Sequence, residues 1–431
     1  MNRPRHRARP FEAEATISSL APGGDAVAHV LWQGERRAVF VARAAPGDRL
    51  RLEVDPSCRP ARGRVLALLA PGSDRVAPAC RWSEACGGCD WMHLSGEAQR
   101  EAHVEHLRAA LPRAWRGAEI SAYPAPRVLG YRTRARAHVR ADGSGRIVVG
   151  MHATGTHRPV AVDACVVLQP ALERARGLLA DVFGGCRGRG DVLLSTGARD
   201  LPVIDVQWRG ELAAATFARF ERAVAEEAIA GARVTIEGAR RPAPIGDPTP
   251  WTKAPDGLPL RLPPGGFGQA HAEVNVKLGA HVAAQARGAG AGKALELHAG
   301  AGNLSVVLAR EVARLTCVES DRDACDAARA NLAARSLDAR VVEGDADHHA
   351  IAPATTLVVL DPPRSGARSV AERLATSRVA RVIYVACDAQ TLGRDLALLE
   401  GAYAPESIAT FEMFPQTSHA EAVVTMRRTT S

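Results

Sequence analysis

Cys387 closes an apolar run, Val382 to Ala386, and opens the polar stretch Cys387-Asp-Ala-Gln-Thr-Leu-Gly-Arg394-Asp395. A thiol at the carboxyl end of a buried strand lies where open parallel sheets keep their reactive groups. As a thiolate it can add to an electron-poor carbon, which makes Cys387 a candidate nucleophile. It follows the turn Asp361-Pro-Pro-Arg364, itself placed after the apolar run Leu357 to Leu360. Two prolines fix a rigid rim there, a wall suited to a planar ring or simply a strand stop.

The run Glu296-Leu-His298-Ala-Gly300-Ala-Gly302-Asn303 comes after a strand-like segment and before a helical one. Glycines at such a turn let the backbone approach a ligand closely, and Gly300 and Gly302 would do so here. The spacing lacks the third glycine of the dinucleotide fingerprint, which weakens a nicotinamide reading. Glu319 ends the next strand, where a carboxylate holds the ribose hydroxyls of a nucleoside. Asp345, after the strand that follows, stands where a side chain could receive an adenine amino group. Glu296, His298, Gly300, Gly302, Asn303, Glu319 and Asp345 together form a candidate cofactor site.

Cys80, Cys86 and Cys89 are spaced x5 then x2, with Gly87 and Gly88 between the last pair, and Cys165 lies far downstream. Four thiolates from a loop and a distant segment would hold zinc or an iron–sulfur cluster. The chain has nine cysteines, an odd number, which points to thiols or metal ligation before disulfides.

These groups need elements to position them. From Phe11 to Leu69 short alternating runs are split by Pro22-Gly-Gly-Asp25 and Ala45-Pro-Gly-Asp48, a pattern for a small antiparallel barrel. Ser95 to Leu111 is helical, and Tyr131-Arg-Thr-Arg-Ala-Arg-Ala-His-Val-Arg140 alternates strictly, so a strand would present one basic face. Residues 171–240 mix helix and strand, and Pro242 to Pro264 reads as a linker with turns. From about Asn275 strands and helices alternate: a helix over 276–287, a strand from Lys293, a helix over 305–312, then strands over 315–318, 339–342, 356–360 and 379–385. Alternation of that kind means an α/β doubly wound, Rossmann-like parallel sheet. The division is therefore a β-barrel over 9–70, a mixed α+β central domain over 71–264, and a cofactor-binding domain over 265–431.

The 431 residues carry a formal net charge of +8, which suits an anionic partner such as nucleic acid and a merely solvated basic surface equally well. No apolar run approaches the ~20 residues that span a bilayer. The first ten residues are basic and lack the apolar middle of a secretory signal. The expectation is a cytosolic protein with a short basic arm, monomeric and without a membrane partner.

The ordered set Pro22-Gly-Gly-Asp25, Ala45-Pro-Gly-Asp48, Cys80, Cys86-Gly-Gly-Cys89, Gly130-Tyr-Arg132, His157-Arg158, Cys165, Phe267, Gln269, Asn275, Asp361-Pro-Pro-Arg-Ser-Gly366, Tyr384-Val-Ala-Cys387, Thr391-Leu-Gly-Arg394-Asp-Leu396 and Pro415-Gln-Thr-Ser-His419-Ala-Glu421 resembles one family. It is that of the RNA uracil-5-methyltransferases that carry a TRAM domain and a [4Fe-4S] cluster, the 23S rRNA type in particular. The resemblance runs over nearly the whole chain. It implies a class I fold using S-adenosyl-L-methionine, a cluster on Cys80, Cys86, Cys89 and Cys165, Cys387 as nucleophile and Glu421 as base. Gln269 and Asp361 would hydrogen-bond the uracil or the cofactor, Phe267 would offer an apolar face, and Arg132 would contact the RNA. Ribosomal RNA is favoured over transfer RNA.

The chain departs from the family where Asp388 replaces an asparagine after the cysteine. A carboxylate there should raise the thiol's pKa unless Arg394 or Arg364 compensates. Two other readings stay open: methylation of an exocyclic amine, since Asp-Pro-Pro serves that chemistry too, and an RNA-binding protein on a weakened methyltransferase scaffold.

Overall fold

The computed structural model describes residues 9–142, 144–288 and 292–429. Most of the expected basic arm, residues 1–8, lies outside the described residues. The chain forms two compact units, residues up to His106 with Pro415–His419, and Leu107–Phe414 with residues from Ala420 on.

In the first unit β1 (Phe11–Leu20), β2 (Ala26–Trp32), β3 (Glu35–Val41), β4 (Arg49–Asp55) and β5 (Ala61–Ala70) close into a barrel in the order β1-β2-β3-β5-β4. The alternation of β4 puts Leu50, Leu52 and Val54 into the core and Arg49 and Arg51 in solvent, as the sequence pattern requires. Closure leaves no edge to pair with another chain. Asp48 ties the segment after the barrel down: its buried carboxylate accepts from Ala45 N at 2.7 Å and Gly72 N at 2.9 Å and pairs with Arg75 at 2.6 Å. Burial opposes its charge, yet the bonds from Arg75, Gly72 and Ala45 hold the carboxyl below the usual range. Trp91, fully buried, donates from Nε1 to Gly24 O at 3.0 Å. Helix α1 (Gly96–Ala110) follows.

The second unit contains two large sheets. Between α1 and the first of them runs the short strand β6 (Ser121–Tyr123). Then come β7 (Arg134–Asp142), β8 (Ile147–His152), β9 (Pro159–Ala161), α2 (Pro170–Val182), β10 (Arg187–Thr196), β11 (Pro202–Glu211), α3 (Ala215–Ala225), β12 (Gly231–Ile236) and β13 (Ala243–Gly246). The strands form a seven-stranded sheet ordered β13-β12-β11-β10-β7-β8-β9. Ala135, Ala137 and Val139 of β7 share one core with Leu172, Leu179 and Phe220 of α2 and α3, so the helices cover one face and the arginines of β7 stand on the other. The expected linker over 242–264 is not one. Its first part is β13, an edge strand on β12, and the rest holds the hairpin β14 (Trp251–Lys253) and β15 (Pro259–Arg261). Edge positions and hairpin ends tolerate the prolines that suggested a linker.

The second sheet carries α4 (Ala272–Arg287), β16 (Lys293–Leu297), α5 (Ser305–Leu308), β17 (Arg314–Glu319), α6 (Arg322–Ala333), β18 (Arg340–Glu343), β19 (Thr355–Leu360), α7 (Arg368–Thr376), β20 (Arg381–Ala386), α8 (Ala389–Leu399), β21 (Tyr403–Phe411) and β22 (Glu421–Arg428). Its order is β18-β17-β16-β19-β20-β22-β21-β6. The first five strands are parallel, as alternation of strand and helix demands, while β22 runs antiparallel between β20 and β21, and β6 joins β21 in parallel from far upstream. Leu374, Leu392 and Leu396 pack one side and Val274, Leu278 and Val282 the other, the doubly wound arrangement. The helix expected over 305–312 ends at Leu308, because Arg310 N and Glu311 N bond three residues back and tighten the chain into turns.

Candidate functional site

Three strand ends converge. Cys387 is the residue after β20, whose six residues are all buried. The antiparallel ladder pairs Ala386 with Ala422, so its next step brings Cys387 opposite Glu421, the first residue of β22. Asp361 follows β19, the parallel neighbour of β20 on its other side. The thiol and two carboxyls separated by 26 and 34 positions in sequence (361 to 387, 387 to 421) thus meet at neighbouring strand ends.

Their electrostatics are mutual. Burial first, then the charges of Glu421 and Asp361, push the Cys387 thiol up to about 12, with Arg364 opposing. Burial, then Asp361, raises Glu421 to about 8, and burial raises Asp361 to about 7. Close buried carboxyls share protons and titrate as a pair. Glu421 Oε2 is buried and has no donor.

Asp388 is engaged with the backbone: its side chain accepts from Gln390 N at 3.0 Å and Thr391 N at 2.9 Å, capping α8, and the largest influences on the thiol are burial, Glu421 and Asp361. An N-cap carboxylate is held over the helix amides. Of the two arginines named as compensators, Arg394 is committed to Asp395 at 2.7 Å and Ser365 O at 2.8 Å; Arg364 is the cation that acts on Cys387.

Gln269 is buried, and its Oε1 also lacks a donor. Thr133, at the entrance to β7, holds this stretch: its N donates to Ala270 O at 2.9 Å and its hydroxyl to Gln269 O at 3.2 Å. Phe267 is 68% exposed, with the Arg134 guanidinium 5.8 Å from its ring centre. Arg134 also donates to Gly266 O at 2.6 Å. Arg132 lies nearby, its Nε on Arg134 O at 3.1 Å and its guanidinium 6.0 Å from the Phe414 ring. Neither Thr133 nor Arg134 was singled out from sequence; in a strictly alternating run, parity assigns a face and not a partner.

At the glycine turn His298, Gly300 and Gly302 have φ of +61°, +54° and +87°. A side chain on Gly300 would meet nothing, so this face of the turn is open, and Gly300 N donates to Glu319 Oε2 at 2.9 Å. His298 Nε2 is buried without a partner, and burial lowers that ring's pKa. Glu296 lies beneath the turn, receiving Ser305 Oγ at 2.6 Å, and burial lifts it to about 7. Asn303 exchanges two hydrogen bonds with Asn275, at 2.9 and 2.8 Å, which locks both amides. Asp345 is exposed and bonded to His348 Nδ1 at 2.7 Å. Asn331, missed in sequence, binds the turn from behind by donating to Ala301 O at 2.8 Å and to Arg261 O at 2.8 Å. A lone asparagine inside a helix carries no signal for that role.

Cys80, Cys86 and Cys89 belong to the first unit and Cys165 to the second, and all four are half-buried thiols. Cys86 Sγ accepts from Gly88 N at 3.4 Å. Among the described residues no three His, Cys, Asp or Glu side chains are gathered to hold a metal ion.

Residues 345–429 match the family model described as tRNA (Uracil-5-)-methyltransferase, and residues 263–383 match that of the methyltransferase small domain. The 23S rRNA (uracil(1939)-C(5))-methyltransferase RlmD of Halomonas elongata is 33% identical, across 95% of this chain and 88% of that one. The protein of the same name from Pseudomonas putida is 32% identical, across 94% and 92%. The crystal structure of the Pyrococcus abyssi tRNA (uracil-54, C5)-methyltransferase, in complex with S-adenosyl-L-homocysteine, superposes with a TM-score of 0.74 over 96% of this chain and 100% of that chain. At 21% identity that likeness speaks for the fold.

Proposed function

The chain belongs to the family of RNA uracil-C5-methyltransferases, and we propose that it methylates a uridine of 23S rRNA with S-adenosyl-L-methionine, through a covalent bond from Cys387 to carbon 6. The observation that carries the reading is the meeting of Cys387, Glu421 and Asp361 at three adjacent strand ends, beside an open glycine turn.

Carbon 5 of uracil is a poor nucleophile. Addition of the Cys387 thiolate at carbon 6 turns the ring into an enolate whose carbon 5 can take a methyl group from a sulfonium. Carbon 5 then carries one hydrogen too many, and Glu421 is the base that removes it, so that the electron pair returns to the ring and expels the cysteine. Arg364 supports the thiolate against the two carboxyls. Gln269 Oε1 and Glu421 Oε2, both acceptors without donors, suit N–H groups of a flipped base or an ammonium. Extrusion of the base costs a few kcal/mol, which contacts of this kind and stacking on a ring such as Phe267 offset.

The cofactor fits the turn on the chain's own features. The Gly300 face is open, Glu319 lies at the turn with Oε2 on Gly300 N and would receive ribose hydroxyls, and His298 Nε2 has no partner. Asn303 and Glu296 serve that turn by holding it, since their polar groups are already bonded. Asp345 offers a solvent-side acceptor for an adenine amine.

A [4Fe-4S] cluster on Cys80, Cys86, Cys89 and Cys165 completes the proposal. Three of these thiols fall within one turn-rich stretch between β5 and α1, and Gly88 N already points at Cys86 Sγ. Such a group would staple chain that has no regular structure of its own, and methyl transfer by this route requires no electron from it.

The test is direct. Cys387→Ala is expected to abolish 5-methyluridine formation, and Glu421→Gln to leave a protein–RNA adduct that survives denaturing electrophoresis. A Cys387→Ala protein methylating at the wild-type rate would sink the mechanism. Mapping of 5-methyluridine lost from 23S rRNA and from tRNA on gene deletion decides the target.

A further inference from the structure

The seven-stranded sheet has one face covered by α2 and α3, and its other face carries an unusual row. The register sets Arg140 of β7 directly opposite Arg189 of β10, and Arg189 directly opposite Arg209 of β11. All three are exposed. Like charges facing one another across strands, with Cβ atoms roughly 5 Å apart, destabilise a sheet. Among the described residues Arg140 and Arg189 have no carboxylate partner, and Arg209 has only exposed Glu237 at 3.5 Å. Three cations placed against one another in this way suit an anion that spans them.

Beside the row stands a stack of rings. His138, next along the face of β7, is bonded through Nδ1 to Asp191 at 2.7 Å, and its ring lies on that of His152 with centroids 3.5 Å apart at 10°. His157, exposed, meets His152 edge-on at 5.3 Å. A groove of 1010 Å³ runs over the arginine row and these rings together. Phosphate charge beside flat rings is the pairing that single-stranded nucleic acid offers.

We propose that this face is an RNA-binding surface separate from the Cys387 pocket, holding backbone phosphates of an unpaired substrate segment on Arg140, Arg189 and Arg209 and stacking a base at His152 and His157. The proposal rests on the reading of the chain as an RNA methyltransferase. It adds that affinity for the long substrate is supplied away from the target base.

The experiment uses full-length protein and the double variant Arg140→Gln/Arg189→Gln. Binding is followed by anisotropy of a labelled adenine-only RNA strand, which contains no target for the catalytic pocket. The expected result is affinity weaker by on the order of ten-fold at low salt, with a log–log salt slope smaller by about 1.4, two phosphate contacts at ~0.7 each. His152→Ala should weaken the adenine strand more than an abasic strand of equal length. In methylation assays KM for the long RNA should rise in the double variant, while kcat and the rate on a short uridine loop stay unchanged. Thermal stability should be equal or higher, since like charges are removed. Unchanged affinity and salt slope in a folded variant overturn the proposal. Absence of uridine methylation by the wild-type protein would instead overturn the functional reading, so the two failures are distinct.

Discussion

At the scale of the residue, the site is a proton store. Glu421 and Asp361 are both lifted by burial, so each favours its neutral form in the folded chain. For an acid whose folded pKa lies above its unfolded value, stability is full below the unfolded pKa and is lost as pH rises toward the folded one. The window here opens at about 4.5, the ordinary glutamate value, and closes where the buried pair ionises, above that value. Glu421→Gln copies the neutral form, so it should raise the melting temperature at pH 8.5, by an amount equivalent to about 2–4 kcal/mol, and have no effect at pH 4. Calorimetry at the two pH values checks it; equal gains at both would show that the carboxyl is not strained. Catalysis needs the opposite state, with Glu421 ionised, so the rate should climb with pH above the ordinary carboxylate range as the pair loses its proton. Arg364→Gln removes the cation that opposes the rise of the thiol and should lower kcat at pH 7.5 by on the order of ten-fold, with recovery at higher pH. A variant with a superimposable pH–rate profile would deny Arg364 that role.

At the scale of the element, the ends of β19, β20 and β22 do the positioning, and the caps around them decide what each side chain can reach. Asp388 is the clearest case. As a neighbour of Cys387 it looked like a threat to the thiolate, but it N-caps α8 and spends its charge on two amides. Asp388→Asn should keep the cap and leave the pH–rate profile unchanged. Asp388→Ala should cost about 1 kcal/mol of stability, read as a lower denaturant midpoint. Chain adjacency could not show this, because φ and ψ at the cap turn the two side chains apart. The same limit explains the supposed linker over 242–264: Pro and Gly signal an interruption, and an edge strand and a hairpin interrupt the chain as a loop does.

At the scale of the whole molecule, the barrel, the mixed sheet and the doubly wound sheet were legible in the sequence. Each follows from a local period: Leu50, Leu52 and Val54 alternate with polar neighbours, and strands alternate with helices from Lys293 on. If the four cysteines hold a cluster, protein prepared without oxygen should be brown and contain about four irons per chain, and Cys86→Ser should lose the colour and the iron together. Stoichiometric zinc without iron would refute it. Residue types and order determined the chemistry on offer, since a thiol ending a buried run, a glycine turn, and acids after successive strands are properties of the string. They also determined which faces of β4 and β7 would be buried, because parity along a strand is local. Tertiary structure alone decided that Glu421 lies across from Cys387, that Gln269 Oε1 and Glu421 Oε2 are left without donors, and that Arg140, Arg189 and Arg209 stand in one row. The physical reason is common to all three. Register, strand order and desolvation arise only when segments distant in sequence pack together, and no period within one segment encodes them.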